Sequence, residues 1–343
     1  MSRTEISDEP VPVSPGPSSP VAAAPQAAPV VTVEEAVTIL RSGGLVAIPT
    51  ETVYGVAADA RNTEALKRLY AVKRRPAGHP VIVHITGVDA LGAWARDIPP
   101  FAIALAQRFW PGPLTLVLKR AEDVLDAVTG GQDTVGLRVP AHPLALALLK
   151  AFDSGIAAPS ANRYGRLSPT TIEHVAADLG ADIDAVVDGG ACEVGIESTI
   201  VDCSGECPIV LRPGKITAAD IEAATGLTVA APNHNTPRAP GTLAAHYSPR
   251  AKVRLLRRTE IIEALTSHKG KRLAALAMEV SVPRLPATQV IVVPAVAASY
   301  ARSLYSNLRA LDATGADVIL VETPPDIPAW AGVLDRLRRA AHA

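Results

Sequence analysis

Hydroxyl and cationic side chains that could bind a small anion stand close together early in the chain. Thr52 follows the apolar run Leu45–Ile48, and Lys73 and Arg75 form a KxR pair that ends at Pro76. Lysine supplies a point charge, and arginine a planar fork that fits phosphate oxygens. Because Pro76 makes the helix end irregular, both cations can turn toward one site. Taken alone, however, a KxR pair more often marks a solvated helix end that complements the helix dipole.

A later strand carries a further cation, and a purely structural role explains it less well. Val135 and Leu137 alternate with Thr134 and Arg138, so one face of this strand is apolar and the other offers a hydroxyl and a guanidinium. An arginine in that position requires an acidic partner or an anionic ligand, since a buried unpaired charge is very costly. His84 lies on another predicted strand, where a lone histidine is usually a core residue.

Further polar residues lie where short apolar runs end. Ser160 and Asn162 follow the run Ile156–Ala158, and Ser198 and Arg212 adjoin two later runs. Ligands of α/β sheets bind at such strand ends. Serine and asparagine in turns also bond frequently to their own backbone, so the pair is compatible with a structural role as well.

The elements that would hold these residues are strands and helices without strict alternation, which indicates an α/β fold, or α+β, with a mixed sheet. A proline-rich segment without periodicity follows. After it, predicted strands at 252–256, 273–277, 290–293 and 318–321 alternate with helices near 259–266, 297–312 and 329–341, the pattern of a smaller Rossmann-like α/β domain. The predicted divisions are a disordered extension over 1–30, a first domain over 31–228, a linker over 229–250 and a second domain over 251–343.

The predicted helices of the first domain run from Thr32 to Gly43 and over 62–73, 99–109, 144–149, 170–179 and 217–224. Its predicted strands are 45–48, 81–85, 114–118, 134–139, 156–158, 198–201 and 209–211.

Composition excludes several classes of protein. The 343 residues carry a formal net charge of −1 and only 3% aromatic side chains, which argues against bulk capture of nucleic acid or a surface that stacks many bases. No run is long and apolar enough to span a bilayer. Three scattered cysteines form no CxxC pair, so we expect a cytoplasmic protein rather than a disulfide scaffold.

The order of the motifs is more specific than any one of them. The chain resembles the YrdC-type family of threonylcarbamoyl-AMP synthases from about residue 32 to 228, and this resemblance rests on PTETVYG, KxRP, WPGPLTLVL, GLRVP, PSAN, GIESTIVD and LRPG in that order. The segment APGTLAAHYSP and the smaller domain after it resemble the long, two-domain form of that family.

The resemblance implies a basic concave sheet that joins L-threonine, bicarbonate and ATP into threonylcarbamoyl-AMP with release of pyrophosphate. It implies a threonine site made of Thr52, His84, Arg138, Ala158 and Ser198. It implies ATP contacts from Lys73, Arg75, His79, Thr134, Ser160, Asn162, Ser168, Arg212 and Tyr247, with catalytic roles for Lys73, Arg75, Ser160 and Asn162. Tyr247, with His246, would close the linker over the site. Family members commonly have asparagine where His79 stands, and a backbone contact would survive that change.

Mg²⁺ would arrive with ATP, because the sequence offers no evident carboxylate cage. The implied partner is the downstream tRNA threonylcarbamoyl transferase complex, which would receive the product for threonylcarbamoyladenosine (t6A) modification of tRNA. Direct tRNA binding and oligomeric state stay open. Two alternatives share the fold: an RNA-binding module, and a carbamoyl transferase of the hydrogenase-maturation type. The latter is expected to carry cysteine-rich zinc modules, which three scattered cysteines cannot build.

Overall fold

The computed structural model describes residues 27–267, 270–278 and 289–342. Most of the predicted N-terminal extension, residues 1–26, lies outside the described residues. At its end the backbone already pairs with the first domain: Val31 N–H donates to the carbonyl of Val186, and Val186 N–H donates to that of Pro29, both at 2.9 Å. No helix in the described part of the chain is long and apolar enough to cross a membrane.

The N-terminal domain is built on one nine-stranded mixed sheet with the strand order β7-β1-β2-β6-β3-β5-β4-β8-β9. Its strands are β1 Val46–Ile48, β2 Gly55–Asp59, β3 Ile82–His84, β4 Leu114–Lys119, β5 Thr134–Arg138, β6 Ile156–Ala157, β7 Ala185–Val186, β8 Thr199–Asp202 and β9 Ile209–Arg212. Its helices are α1 Val33–Arg41, α2 Thr63–Lys73, α3 Pro100–Phe109, α4 Asp126–Thr129, α5 Pro143–Phe152, α6 Ile172–Asp178 and α7 Ala218–Thr225.

The two faces of this sheet are covered differently, and the difference creates the site. One face is a continuous core in which Val83, Leu116 and Leu137 pack against α2 and α3. On the other face α1 and α5 cover only the β7-β1-β2-β6 end. The remainder of that face lies under the linker and carries polar side chains together with a small apolar cluster of Ile82, Val117 and Ile200.

The C-terminal domain has four parallel strands in the order β10-β13-β11-β12. Its described elements are β10 Lys252–Leu256, α8 Arg258–Ser267, β11 Leu273–Met278, β12 Gln289–Val293, α9 Ala297–Ala313, β13 Val318–Glu322 and α10 Ala331–Ala341. Helix α8 packs on one face of the sheet, and α9 and α10 pack on the other.

The core beneath α9 and α10 continues into the N-terminal domain. Val53, Leu167, Val194 and Ile196 belong to the same buried cluster as the inner faces of these two helices. The two domains therefore share apolar packing and do not meet only through a polar surface.

The predicted fold class is confirmed, and most elements differ from the prediction only at their ends. The prediction missed β2, because its short residues Gly-Val-Ala-Ala follow a hydroxyl-rich loop and carry little strand propensity. It also missed α4 and the two-residue strand β7. Between α7 and β10, where a linker was predicted, the described chain has no helix or strand of its own.

Leu116→Ala should lower the free energy of unfolding by about 2–5 kcal/mol, because Leu116 is fully buried in β4 and its loss leaves a cavity. Leu227→Ala is the matched control, since it removes the same atoms from a side chain that is 36% exposed. We expect the control to change stability by no more than about 0.5 kcal/mol. Urea unfolding followed by circular dichroism measures both variants, and equal losses would contradict the burial of β4.

Candidate active site

The polar residues on the open face of the sheet come from neighbouring strands held in register. Strands β3 and β5 are parallel, and their pairing sets His84 beside Arg138. Strand β6 lies on the other side of β3, and Ala158 N–H donates to the carbonyl of Ile82 at 3.1 Å. His84 and Val83 point to opposite faces of β3, since Val83 lies in the core and His84 faces a cavity between the sheet and the linker.

Arg138 is buried and has a carboxylate partner that the sequence analysis did not assign. Its Nη2 donates to Glu51 Oε1 at 2.6 Å, and its Nε donates to the carbonyl of Gly112 at 3.3 Å. The other carboxylate oxygen, Oε2, accepts from Ala141 N–H at 2.9 Å. Within the described residues, Arg138 Nη1 has no hydrogen-bond partner. One edge of the guanidinium is therefore fixed, and its remaining donor is left for a ligand.

His84 is kept neutral by its surroundings. Burial first, and then the charge of Arg138, lower the pKa of its imidazole to about 3. Neither ring nitrogen has a hydrogen-bond partner among the described residues, although the side chain is only 3% exposed. A buried polar group without a partner is unusual in native structures and is characteristic of ligand sites.

Lys73 is fully buried at the end of α2 and organises the segment that follows β6. Its ammonium donates to the carbonyls of Ser160 and, at 2.7 Å, Asn162. Burial, and then the charge of Arg75, lower the pKa of Lys73 well below its ordinary value. The side chain of Asn162 bends back to the carbonyls of Arg163 and Arg166, at 2.9 and 2.8 Å. The KxR lysine thus holds the loop that presents Ser160 to the cavity.

Two further arginines are anchored mainly by backbone carbonyls. Arg75 Nη2 donates to the carbonyl of Pro80 at 2.7 Å, and its guanidinium lies 5.4 Å from the ring of Tyr164. Arg212 Nη2 donates to the carbonyl of Ser198 at 2.8 Å and to its Oγ at 3.1 Å, while Nη1 donates to the carbonyl of Pro240 at 3.0 Å. Burial lowers the pKa of both guanidinium groups. Carbonyl oxygens orient these cations without neutralising them, so their charge remains available to an anion.

Ser198 lies where β8 begins, beside the parallel strand β4. Its Oγ is 2.8 Å from Thr115 Oγ1. The carboxylate of the preceding residue, Glu197, accepts a hydrogen bond from Ser168 Oγ at 2.5 Å. Ser198 and Ser168 are both fully buried. Their hydroxyl groups are therefore held by neighbouring side chains.

The linker lies across the cavity and closes it. Tyr247 is 1% exposed, His246 is 6% exposed, and their rings are 4.2 Å apart. The linker is attached to the sheet through the bond between Arg212 and Pro240, and the backbone N–H of Arg238 donates to Gln132 Oε1 at 2.7 Å. Tyr247 has a φ of +59°, in the left-handed region that tyrosine rarely adopts. The cavity under the linker has a volume of about 50 Å³, enough for only a few water molecules.

The structure gathers nine of the predicted site residues around this one cavity, namely Thr52, Arg75, His84, Arg138, Ala158, Ser160, Ser198, Arg212 and Tyr247. Thr134 lines a smaller cavity directly beside it, which shares Ile82 and Pro240. Three of the others, Lys73, Asn162 and Ser168, lie behind the wall of the cavity. His79 lies on the far side of Tyr164, and the hydroxyl of Tyr164 is 2.8 Å from Nδ1 of His79. Their contacts with ATP stay predictions.

Comparison with known proteins adds independent evidence. A family model called Sua5_yciO_yrdC, described as Telomere recombination, matches residues 38–214, which is just over half of the chain. The chain belongs to the Sua5/YrdC family. A second model, described as Threonylcarbamoyl-AMP synthase, C-terminal domain, matches residues 216–342 of this family member.

Relatives of this Sua5/YrdC chain match over nearly its whole length. A protein of Pyrococcus abyssi named threonylcarbamoyl-AMP synthase is 40% identical over 88% of this chain and 92% of its own. One of Bacillus subtilis with the same name is 39% identical, over 90% and 92%. The crystal structure of P. abyssi Sua5 complexed with L-threonine covers 90% of this chain and 94% of its own, with 40% identity and a TM-score of 0.83.

The neutrality of His84 predicts a pH dependence of stability. An unfolded histidine titrates near pH 6.5, whereas folded His84 titrates near 3, so the unfolded chain binds the extra proton between those values and stability falls as the pH drops. His84→Leu should therefore make the fall between pH 6 and pH 4 shallower by about 1.4 kcal/mol per pH unit.

Urea unfolding at pH 6, 5 and 4 measures this slope. His234→Leu, which changes an exposed residue of the linker, is the control and should leave the slope as it is. An unaltered slope in His84→Leu would show that His84 is not held neutral in the folded protein.

Proposed function

We propose that this chain is an L-threonylcarbamoyladenylate synthase, which forms threonylcarbamoyl-AMP and pyrophosphate from L-threonine, bicarbonate and ATP. The observation that carries the proposal is the set of anchored cations and hydroxyl groups around one cavity, in a chain that matches named synthases over both domains. The structure of P. abyssi Sua5 complexed with L-threonine supports the same reaction.

Threonine would lie against the β3-β5 part of the sheet. The free Nη1 of Arg138 is the donor for its carboxylate, since arginine pairs with carboxylates through charge-assisted bonds. The neutral His84 nitrogens, together with Thr52, the Ala158 backbone and Ser198, would hold the amino and hydroxyl groups. A neutral imidazole suits this role, because it can accept a hydrogen bond from the amine.

ATP would occupy the other half of the cavity. Arg75 and Arg212 are anchored beside it by carbonyls and keep their charge for the phosphates, with Ser160 between them. Thr134 lies in the adjoining cavity, which the nucleoside would enter. Lys73 and Asn162 would act indirectly, by holding the loop that carries Ser160. Ser168 would also act indirectly, through its hydrogen bond to Glu197.

The chemistry requires charge neutralisation and alignment more than a covalent nucleophile. The threonine amine takes up bicarbonate as a carbamate with loss of water, and a carbamate oxygen then attacks the α-phosphate while pyrophosphate leaves. Both reactants are anions, so preorganised cations contribute most of the catalysis. The closed linker would keep bulk water from the carbamate.

Mg²⁺ would enter bound to the phosphates of ATP. Among the described residues, no group of three or more His, Cys, Asp or Glu side chains could hold a metal ion. The donor set here is instead cationic, which fits a metal-bound triphosphate better than a protein-bound metal. The ion would neutralise phosphate charge.

The product would pass to a tRNA threonylcarbamoyl transferase complex for the t6A modification of tRNA in the cytoplasm. The linker covers the narrow cavity, so it would move away from the sheet for substrates to enter and for product to depart. Tyr247 and His246 would return to seal the filled site.

Pyrophosphate release by the purified full-length chain tests the function. We expect release only when L-threonine, bicarbonate and ATP are all present, with loss of signal when any one is omitted. Pyrophosphate release that does not depend on threonine and bicarbonate, or no pyrophosphate release at all, would overturn the proposal. Tight binding of duplex RNA without turnover, weakening steeply with salt, would favour the RNA-binding alternative.

Arg138→Lys tests the threonine site. Lysine keeps the charge but cannot hold Glu51, Gly112 and a carboxylate at once, so we expect the KM for threonine to rise roughly ten- to hundredfold, the range of a charged hydrogen bond. The KM for ATP should change much less. Arg254→Lys, at an exposed position of β10, is the control. A normal KM for threonine in Arg138→Lys would remove Arg138 from the site.

A further inference from the structure

The carboxylate of Glu197 is held largely by the C-terminal domain. Glu197 is buried in the loop that leads into β8. Besides Ser168, its donors are Tyr305 of α9, whose hydroxyl lies 2.9 Å from Oε2, and Arg336 of α10, whose Nε lies 2.8 Å from the same oxygen. A residue directly next to the predicted threonine contact Ser198 is thus bound by both helices of the other domain.

Arg336 is completely buried at this junction. Besides Glu197, its Nη1 donates to the carbonyl of Pro213 at 2.8 Å, and its guanidinium lies 5.2 Å from the ring of Tyr247. Burial alone would raise the pKa of Glu197, but the charges of Arg336 and Arg212 outweigh it and lower the pKa to about 2. The pair therefore stays ionised, and it touches both the site loop and the linker.

Backbone packing at the same place is tight, because two glycines allow the loops and the helices to approach closely. Gly195 has a φ of +80°, and a Cβ there would lie 2.4 Å from Arg302 Cα of α9. A Cβ on Gly332 of α10 would lie 3.0 Å from Gly214 Cα, in the turn after Arg212. The two strand ends that carry Ser198 and Arg212 are thus pressed directly against the two helices.

We propose that Tyr305 and Arg336 are positioning residues for catalysis, and that the C-terminal domain completes the substrate site by fixing Glu197. Glu197 in turn fixes the hydroxyl of Ser168 and the backbone at Ser198, to which Arg212 is bonded. The link to threonine and ATP rests on the proposed function. The C-terminal domain then does more than anchor the linker, since it sets the geometry of residues that belong to the other domain.

The test uses a pair of matched variants on one helix of the full-length chain. Tyr305→Phe removes the hydroxyl that bonds to Glu197. Tyr300→Phe removes a hydroxyl from an equally buried tyrosine of α9 that has no hydrogen-bond partner among the described residues. We expect Tyr305→Phe to weaken threonine binding, measured by titration calorimetry, about tenfold and to lower kcat/KM in proportion. Tyr300→Phe should match the parent in both.

Arg336→Lys extends the test to the charged partner. It should weaken threonine binding at least as much as Tyr305→Phe, and the loss should shrink when Glu197→Gln is already present. Arg309→Lys is its control, because Arg309 forms a second ion pair between the described parts of the two domains, with Asp178 at 2.5 Å, and does not line the cavity. If Arg309→Lys weakens binding equally, the effect is general loosening of the domain contact, and the positioning role is wrong.

A readout without substrates separates this proposal from the proposed function. Hydrogen–deuterium exchange of a peptide spanning 195–199 should be faster in Tyr305→Phe than in Tyr300→Phe or the parent, whatever reaction the protein catalyses. Unchanged exchange would overturn the positioning role. Faster exchange in a chain that makes no pyrophosphate would sustain the role of Tyr305 and overturn the synthase instead.

Discussion

The structure depends on burying positive charge around one cavity on the open face of the sheet. Burial of an ionised group costs far more than a hydrogen bond returns unless the group is compensated. The protein compensates these cations in two ways, with a carboxylate for Arg138, and with backbone carbonyls for Arg75 and Arg212. The second way leaves a net positive cavity in a chain whose formal charge is −1. Local charge, rather than bulk charge, therefore determines what this site can bind.

The sequence predicted the residues of the site better than their roles. Arg138 was expected to need an acidic partner or an anionic ligand, and Glu51 proves to be that partner. Glu51 lies 87 positions away in the chain, and only the order of the strands brings the two together. Strand order is set by long-range pairing, which a local pattern of apolar and polar residues does not contain. Glu51 lies in the motif PTETVYG, but the sequence alone did not show which residue its carboxylate would contact.

The contribution of the C-terminal domain could not be predicted from the sequence at all. Tyr305 and Arg336 lie in amphipathic helices, where an arginine or tyrosine at the edge of the apolar stripe usually reaches solvent. Only the packing of both helices onto the loop at Glu197 turns them inward. The apolar periodicity correctly predicted the helices. It did not show which side of each helix the other domain would cover.

The left-handed backbone of Tyr247 bears on how long the site stays closed. That conformation costs an L-residue roughly 1–2 kcal/mol, and a linker detached from the sheet has no need of it. The strain therefore makes the observed linker position less stable, by about that amount, than it would be with an unstrained residue at this position. In the proposed reaction a carbamate that decays in water must stay enclosed until adenylation is complete, and turnover then requires release of the product. The backbone strain of Tyr247 thus opposes the ring contacts that hold it in place, against His246 at 4.2 Å and Tyr305 at 6.0 Å, so the balance between the two determines how stable the observed position of the linker is.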